Sequence, residues 1–184
     1  QGKEIEISCS YKDIEIEGNK IKLKHEDVMI DLGSIAKGYV ADKMVEYLKE
    51  LGIESGYIDA RGDMIIFGEQ EEIVQVQHPR DETKRLYKIR LKDGALATSG
   101  DYKQFYGNYD KSHIIGKSEF ASVTVFAENL TKADVTATCI FLLGKKEAEE
   151  FAKENKIKVL CIDKELKTQL FNNFEEIMAG EDGE

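Results

Sequence analysis

The sequence predicts an α/β protein of the α+β type, in which one mixed, largely antiparallel sheet carries a few packed helices. Three observations favour this class. Segments that alternate apolar and polar residues, as strands do, outnumber segments with apolar residues at helical spacing. Several neighbouring strands are joined by short turn sequences typical of hairpins. The chain also shows no internal repeat and no flexible linker, so we expect a single domain over residues 3–178.

The elements of the first part of the chain follow from two patterns. DIEIEGNKIKLK alternates apolar and polar residues around Gly18 and Asn19, and such a turn pair between alternating runs predicts a β-hairpin. The segment VMIDLGS is predicted to be a third strand that ends at a glycine. Between Ser34 and Leu51 apolar residues recur at helical spacing, and Gly52 supplies the stop.

Strand patterns dominate the remainder of the chain. A strand pair is predicted in GYIDARGDMIIFG, broken at Arg61, Gly62 and Asp63, and a further strand in IVQVQHP ends at the only proline. RLYKIRLK, KDGALATSGDY and ASVTVFA are predicted to be strands, and the last of these leads into a helix in LTKADVTATCIFLLG. Another helix, at about 145–155, precedes the strand KVLCID. Successive strands without an intervening helix favour antiparallel pairing over a doubly wound sheet.

The composition is that of a globular protein with an acidic surface. Hydrophobic residues make up 41% and charged residues 34% of the 184 residues, which excludes disorder and leaves enough chain for a core. The net charge of −10 repels nucleic acid and anionic membrane, so neither is expected as a partner. The longest apolar run is too short to span a bilayer. The three cysteines are odd in number and widely spaced, which indicates neither a disulfide framework nor a zinc site.

The two ends of the sequence are expected to lie outside the folded domain. The chain opens with QGKEIEIS and has no initiator methionine, so we expect a processed or truncated N-terminus in which Gln1 and Gly2 are the remnant of a cleavable tag. No signal peptide is visible in this opening, and the sequence leaves the compartment open. Residues 179–184 are predicted to be an acidic tail outside the domain.

The first candidate site residues lie in LTKADVTATCIFLLG. Asp134 and Thr138 stand four residues apart in a segment predicted to be helical, so their side chains converge on one spot of the helix surface. The alternative is helix capping, in which Thr131 caps the helix and Asp134 reaches back to the cap residue, as in a capping box. The pattern alone leaves both interpretations open.

Four further stretches combine turns with polar residues. In IDLGSIAKGYVADKM a strand turns into a helix, whose N-terminal amides can receive phosphate, and Lys37 adds a cation; an ordinary turn is the alternative. DARGDM contains Gly62 and Asp63, which form either a tight turn or a close approach to a ligand. GALATSGDYKQFY is either a polar turn or a pocket wall rich in hydrogen-bond donors. SHIIG contains His113, which is either a structural histidine or a general base.

In their order along the chain, these stretches resemble the motifs of a known family. DLGSIAKGY, ARGD, QHPRD, GALATSGDY, SHII, SVTV and KADVTATCIFLLG are similar in sequence and approximate spacing to motifs of the ApbE family, the FAD:protein FMN transferases once called thiamine biosynthesis lipoproteins. The resemblance runs from about Tyr11 to Asp163, and its specificity comes from the series, since each motif alone is weak. It implies an ApbE-like fold.

The resemblance also implies an activity and its partners. Such enzymes are magnesium-dependent: they cleave FAD, transfer FMN as a phosphoester to a threonine or serine hydroxyl of an acceptor protein and release AMP, or they hydrolyse FAD to FMN and AMP. The expected cofactor, substrate and partner are therefore Mg²⁺, FAD and an acceptor protein. The alternative is a degenerate relative that binds flavin or nucleotide without turning it over. Relatives are often exported and lipid-anchored.

Particular residues receive roles from the resemblance. The metal ligands would be Asp134, Thr138 and the backbone carbonyl of Ser34, and His113 would stand at the reacting phosphate. Carboxylate, hydroxyl and carbonyl groups are hard oxygen donors of the kind that Mg²⁺ prefers. The residues that would contact FAD or line its pocket are Asp31, Lys37, Gly62, Asp63, Thr98, Ser99, Gly100, Asp101 and Ile115.

The chain departs from the family pattern in three places. SHII is followed by GKSEFA where the family has a loop similar to DPRTG and a spacer, so the loop beside His113 is shortened. Arg61 stands where a small residue is usual, and the family's N-terminal portion, which contributes to FAD binding, has no counterpart in the sequence. These departures favour the degenerate relative, whereas the metal ligands favour the enzyme.

Overall fold

The computed structural model describes residues 10–102, 114 and 118–181, and the chain divides into two compact units, residues 1–32 and 33–184. The sequence had indicated one domain over residues 3–178, most of which corresponds to the second unit. The boundaries of that domain stay a prediction.

The first unit contains the hairpin that the sequence predicted. Strands β1 (Ile14–Glu17) and β2 (Lys20–Leu23) pair antiparallel, and Gly18 adopts a positive φ of 57° in the turn between them. The prediction of a third strand in VMIDLGS is wrong, because no strand of the described chain includes these residues. Met29 is 88% exposed and Leu32 is 59% exposed, whereas Val28 is buried, so most of the apolar side chains that suggested a strand are exposed.

The second unit is built on one antiparallel sheet of seven strands. Their order is β3-β4-β5-β6-β7-β8, with β9 added along β5, and every pair among the described residues is antiparallel. The predicted α+β class is thereby confirmed. The strands are β3 (Gly56–Asp59), β4 (Met64–His78), β5 (Asp81–Gly100), β6 (Phe120–Ala127), β7 (Lys158–Asp163), β8 (Thr168–Phe171) and β9 (Met178–Glu181).

Two strands are longer than the sequence patterns indicated. MIIFG and IVQVQH form the single strand β4, and RLYKIRLK and KDGALATSG form the single strand β5. The alternation in β4 is interrupted at Gly68, where φ is +76° and the β4–β5 register shifts between Ile66 and Glu71. Such an irregularity breaks the sequence pattern without ending the strand, because the ladder resumes beyond it.

The short strands β8 and β9 were not predicted, since a strand of four residues gives little alternation to detect. β9 pairs with β5 between Tyr87 and Ile89, so the segment that the sequence assigned to an acidic tail belongs to the sheet as far as Glu181.

Three helices complete the second unit: α1 (Ala36–Glu50), α2 (Leu130–Leu142) and α3 (Lys145–Glu154). All three were predicted, with ends that differ by two residues or fewer. The central helix α2 lies on the sheet because its apolar face, which includes Ala133, Ala137 and Ile140, joins one buried cluster with Val123 and Val125 of β6. Within the described part of the chain, no helix combines the length and apolarity that a membrane crossing requires.

Candidate functional site

The candidate site lies where the N-termini of α1 and α2 meet. Gly38, in the first turn of α1, allows direct contact between the two backbones: a Cβ at this position would lie 2.4 Å from the carbonyl oxygen of Leu130 and 2.8 Å from Cα of Thr131. Only glycine fits without displacing one helix. The sequence pattern indicated that the helix N-terminus in this stretch can receive phosphate but gave Gly38 no role, and the structure assigns it a packing role.

Each of the two helices receives a carboxylate from the other. Asp134 of α2 accepts a hydrogen bond at its Oδ2 from the Gly38 amide of α1 at 3.0 Å. Asp42 of α1 accepts from the amides of Leu130 and Thr131, both at 2.8 Å, and from the Thr131 hydroxyl. These bonds satisfy amides that a helix N-terminus leaves without intrahelical partners.

The capping interpretation of Thr131 and Asp134 is wrong. The N-cap residue of α2 is Asn129, whose side chain accepts from the Lys132 amide at 2.8 Å. The Thr131 hydroxyl donates to Asp42 and caps nothing, and Asp134 serves the other helix. The carboxylate is therefore directed away from its own helix terminus and toward α1.

Lys37 joins Asp134 to Asp63, which comes from the turn between β3 and β4. The Lys37 ammonium forms an ion pair with Asp63 Oδ2 and lies 3.9 Å from Asp134 Oδ1. Asp63 is only 1% exposed, and its Oδ1 accepts from the Thr98 amide at 2.9 Å. Apart from the Lys37 ion pair, Asp63 Oδ2 has no hydrogen-bond partner among the described residues. The side chain of Lys37 is 40% exposed, so it is the member of this cluster that solvent reaches.

Hydroxyl groups continue the cluster along α2 and the sheet. Ser99 and Thr138 form a hydroxyl–hydroxyl hydrogen bond of 3.0 Å, which places the end of β5 against the same face of α2 that carries Asp134. Thr98, one residue earlier, points to the opposite face of the sheet and bonds to Thr124 of β6 at 2.9 Å. Thr124 was not a candidate in the sequence, because it lies within an unbroken strand pattern.

Burial is the main influence on the pKa of the Asp134 carboxyl group. It raises the pKa of Asp134, while the Gly38 amide and the Lys37 ammonium act in the opposite direction and the neighbouring Asp63 charge raises it further. The Gly38 hydrogen bond and the Lys37 charge thus do not fully offset the cost of burying the ionised carboxylate. A carboxylate in such surroundings gains from a second cation nearby.

Asp101 and Gly100 have structural partners at the end of β5. Arg80 binds the buried Asp101 carboxylate with both of its terminal nitrogens, at 2.6 and 2.9 Å. A Cβ on Gly100 would lie 2.5 Å from the ring of Tyr102. Burial, together with the charges of Asp63 and Asp101, raises the pKa of Tyr102 to about 12, so this phenol stays neutral near neutral pH. The motif QHPRD was one of the family-like motifs in the sequence, but it indicated no role for Arg80.

Replacement of Arg80 by lysine is expected to lower the free energy of unfolding by about 1–2 kcal/mol, because a lysine retains the charge but loses the two-pronged hydrogen bonding to a buried carboxylate. Urea denaturation would measure this. Arg90→Lys is the matched control, since Arg90 pairs with Glu71 on the surface and exposed pairs contribute little. Equal effects of the two substitutions would contradict the structural importance of the Arg80–Asp101 pair.

The remaining candidates are Ser34, Gly62, Asp31, His113 and Ile115. Ser34 is half-buried in the turn at 33–35 that leads into α1. Gly62 has a φ of 94° beside Asp63, and its amide donates to Asp59 at 2.7 Å. Asp31 belongs to the first unit. His113 and Ile115 lie outside the described residues. The roles assigned to all of these residues stay predictions.

The groups that could bind a metal where the helices meet are mainly hydroxyl and carbonyl oxygens, with few carboxylates. Among residues 10–102, 114 and 118–181, no group of three or more histidine, cysteine, aspartate or glutamate side chains could hold a metal ion. A site here would have to combine at most two such side chains with hydroxyl and carbonyl oxygens. This excludes a zinc-type site within the described residues and leaves a hard cation with bound water as the kind of metal that fits.

The antiparallel sheet and the cluster of Lys37 with two buried carboxylates define an α+β protein with a polar site suited to a charged ligand. Residues 3–161 match the sequence profile of the ApbE family, and the chain therefore belongs to that family.

Individual relatives agree with this membership. The FAD:protein FMN transferase of Vibrio cholerae is 30% identical over 163 residues, which cover 81% of this chain and 49% of the relative. That of Buchnera aphidicola is 29% identical over 157 residues, which cover 78% of this chain and 46% of the relative. The chain spans about half the length of the curated relatives that it matches.

Solved structures of the family share the fold. The ApbE protein of Thermotoga maritima superimposes with a TM-score of 0.83 at 26% identity, over 93% of this chain and 60% of that protein. The flavin transferase ApbE of Vibrio cholerae gives a TM-score of 0.77 at 27% identity, over 91% of this chain and 59% of that protein.

Proposed function

We propose that this chain carries the site of a magnesium-dependent flavin transferase, which cleaves FAD, transfers FMN to a threonine or serine hydroxyl of an acceptor protein and releases AMP. Hydrolysis of FAD to FMN and AMP would use the same groups with water as the acceptor. The observation that carries the proposal is the joining of Lys37, Asp63 and Asp134 at two helix N-termini. The relatives named FAD:protein FMN transferase support the choice of substrate.

Mg²⁺ would be held by Asp134, Thr138 and the carbonyl of Ser34. In a continuing helix the Gly38 amide would bond to the Ser34 carbonyl, four residues earlier. Here that amide donates to Asp134, and helical bonding in α1 starts with the Tyr39 amide on Ile35. The Ser34 carbonyl is thus suited to a cation. When bound, Mg²⁺ would neutralise charge on the pyrophosphate and polarise the phosphorus under attack.

Lys37 would supply the protein's own positive charge to the FAD phosphates. Its ammonium is partly exposed, whereas Asp63 is buried behind it. We therefore assign Asp63 an indirect role: it holds the Lys37 ammonium in place and does not itself touch FAD. The amides at the start of α1 add positive potential at the same place, as helix N-termini do for phosphate groups.

The reaction needs one bond made and one broken at the same phosphorus. The acceptor hydroxyl oxygen would bond to the phosphorus of the FMN half, and the bond from that phosphorus to the bridging oxygen would break, so that AMP leaves with the electron pair. The proton of the acceptor hydroxyl would pass to His113, which is assigned here on the SHII motif alone. The neutral hydroxyl of Thr138 would bind the metal and that of Ser99 would bond to Thr138, and neither would exchange a proton in this step.

The test of this proposal is a direct assay of FAD cleavage. The protein would be incubated with FAD and Mg²⁺, with and without a threonine-containing acceptor peptide, and AMP would be measured by chromatography, with EDTA as the control. AMP release that requires Mg²⁺ is the expected result. Saturable FAD binding without AMP release would favour the degenerate relative. Two features support that alternative: the exposed Arg61 beside Gly62 and the shortened loop after SHII. If the protein neither binds FAD nor releases AMP, both functions are contradicted.

A further inference from the structure

Asp42 has no role in the proposed chemistry, yet it makes the most extensive contacts at the meeting of the helices. Its two carboxylate oxygens accept from the Leu130 amide, the Thr131 amide and the Thr131 hydroxyl. All three donors belong to the first turn of α2, and Asp42 itself stands in the second turn of α1. We propose that Asp42 is a positioning residue, which fixes α2 on α1 and thereby sets the place of Asp134 relative to Ser34 and Gly38. This inference rests on the proposed metal site.

The electrostatics of the two helix ends give the first reason. The contacts of Gly38 with residues 130 and 131, and of Asp42 with the same residues, place the two N-termini side by side. A helix N-terminus carries a partial positive charge of roughly half an elementary charge, so two adjacent ones repel each other. Asp42 and Asp134 are the carboxylates that bond to the amides of these ends. Removal of Asp42 leaves Asp134 as the one described carboxylate hydrogen-bonded across the junction.

The geometry of the proposed ligands gives the second reason. Asp134 and Thr138 come from α2, whereas the Ser34 carbonyl comes from the start of α1, so the distance between the ligands depends on how the helices pack. Mg²⁺ demands near-ideal octahedral geometry and tolerates displaced ligands poorly. Besides the close packing of the two backbones at Gly38, the described hydrogen bonds between the helices are of two kinds: the bond from Gly38 to Asp134, and the three bonds to Asp42. Loss of the second kind leaves one hydrogen bond, together with apolar packing, to hold the spacing.

A matched control distinguishes positioning from ordinary helix capping. Asn129 caps the same helix end, with its side chain accepting from the Lys132 amide at 2.8 Å, but its bond stays within the α2 segment. Asn129→Ala removes a cap without loosening the joint to α1. Asp42→Asn removes the negative charge and turns one acceptor into a donor that faces an N–H group. Both substitutions are expected to lower thermal stability, so stability alone cannot decide the question.

The deciding measurement is metal affinity. Mn²⁺, a paramagnetic substitute for Mg²⁺, would be titrated into the wild-type protein and each variant, and free Mn²⁺ would be followed by electron paramagnetic resonance with Mg²⁺ in competition. Asp42→Asn is expected to weaken binding about tenfold, at the low end of the 10–100-fold range for groups that orient metal ligands. Asn129→Ala is expected to leave the affinity unchanged. Thr131→Val, which removes only the hydroxyl donor, should give an intermediate loss and remains usable if Asp42→Asn does not fold.

The possible outcomes separate this inference from the metal site itself. Wild-type protein that binds no Mn²⁺ would overturn both. If the wild-type protein binds Mn²⁺ and both Asp42→Asn and Asn129→Ala bind it with the wild-type affinity, the positioning role is overturned and the metal site stands. Equal losses in both variants would show that α2 needs any cap, and would overturn the specific role of Asp42 as well.

Discussion

Replacement of Asp134 by asparagine is expected to reduce Mg²⁺-dependent AMP release from FAD by about a thousandfold, because a bound metal contributes several kcal/mol to stabilisation of phosphoryl-transfer charge. Asparagine keeps an oxygen that can accept from the Gly38 amide, so the helix joint is preserved. Burial raises the pKa of Asp134, which means that the folded protein disfavours its ionised form. The free energy of unfolding should therefore stay unchanged or increase slightly.

The control for this substitution is Asp163→Asn. Asp163 is 2% exposed and accepts from Lys145 Nζ at 2.8 Å, so it is also a buried aspartate that faces a lysine. It accepts from two further amides, those of Glu165 and Lys167, and its loss should destabilise the protein without affecting Mg²⁺-dependent turnover. If Asp134→Asn retains turnover, or if the two variants lose it equally, the assignment of Asp134 to the metal is wrong. Steady-state assays at several Mg²⁺ concentrations, together with urea denaturation, would provide both readouts.

The parts of the site that the sequence predicted are those that depend on local geometry or on motif order. Asp134 and Thr138 lie within one helix, and their four-residue spacing fixes a common face whatever the rest of the chain does. The meeting of Lys37 with Asp63 has no local signature, since 26 residues separate them. The family resemblance assigned both residues to the FAD pocket but predicted no contact between them, and the ion pair became visible only in the structure.

The parts that the sequence missed depend on contacts between distant segments. Asp42 reads in the sequence as one more polar residue of an amphipathic helix, because nothing in its neighbourhood reveals that residues 130 and 131 lie opposite. The predicted capping box failed because the helix begins at Leu130 with Asn129 as its N-cap, and because Asp42 of the other helix accepts from the Thr131 amide that Asp134 would have used. Gly68 similarly suggested a strand end, whereas the close approach of the Glu54 carbonyl accounts for a glycine there.

Replacement of Gly38 by alanine is expected to destabilise the protein by about 2–3 kcal/mol, the upper part of the range for forcing extra atoms into a packed interior. The added Cβ would lie 2.4 Å from the Leu130 carbonyl oxygen and 2.7 Å from its carbonyl carbon, and both are backbone atoms that cannot rotate away. The helices would have to separate, which would also stretch the bond from the Gly38 amide to Asp134. Loss of Mg²⁺-dependent AMP release should therefore accompany the loss of stability, which urea denaturation would measure.

The sign of the stability change makes this prediction sharp. An unhindered glycine inside a helix costs about 1 kcal/mol relative to alanine, so Gly38→Ala would stabilise α1 if the helices did not touch. Gly56→Ala is the control, because its Cβ would meet only the Phe67 ring, at 3.3 Å, and a side chain can yield by that amount. Its effect should stay below about 1 kcal/mol. A more stable Gly38→Ala protein with unchanged turnover would contradict the backbone contact between α1 and α2, and with it the joint on which Asp42 and Asp134 act.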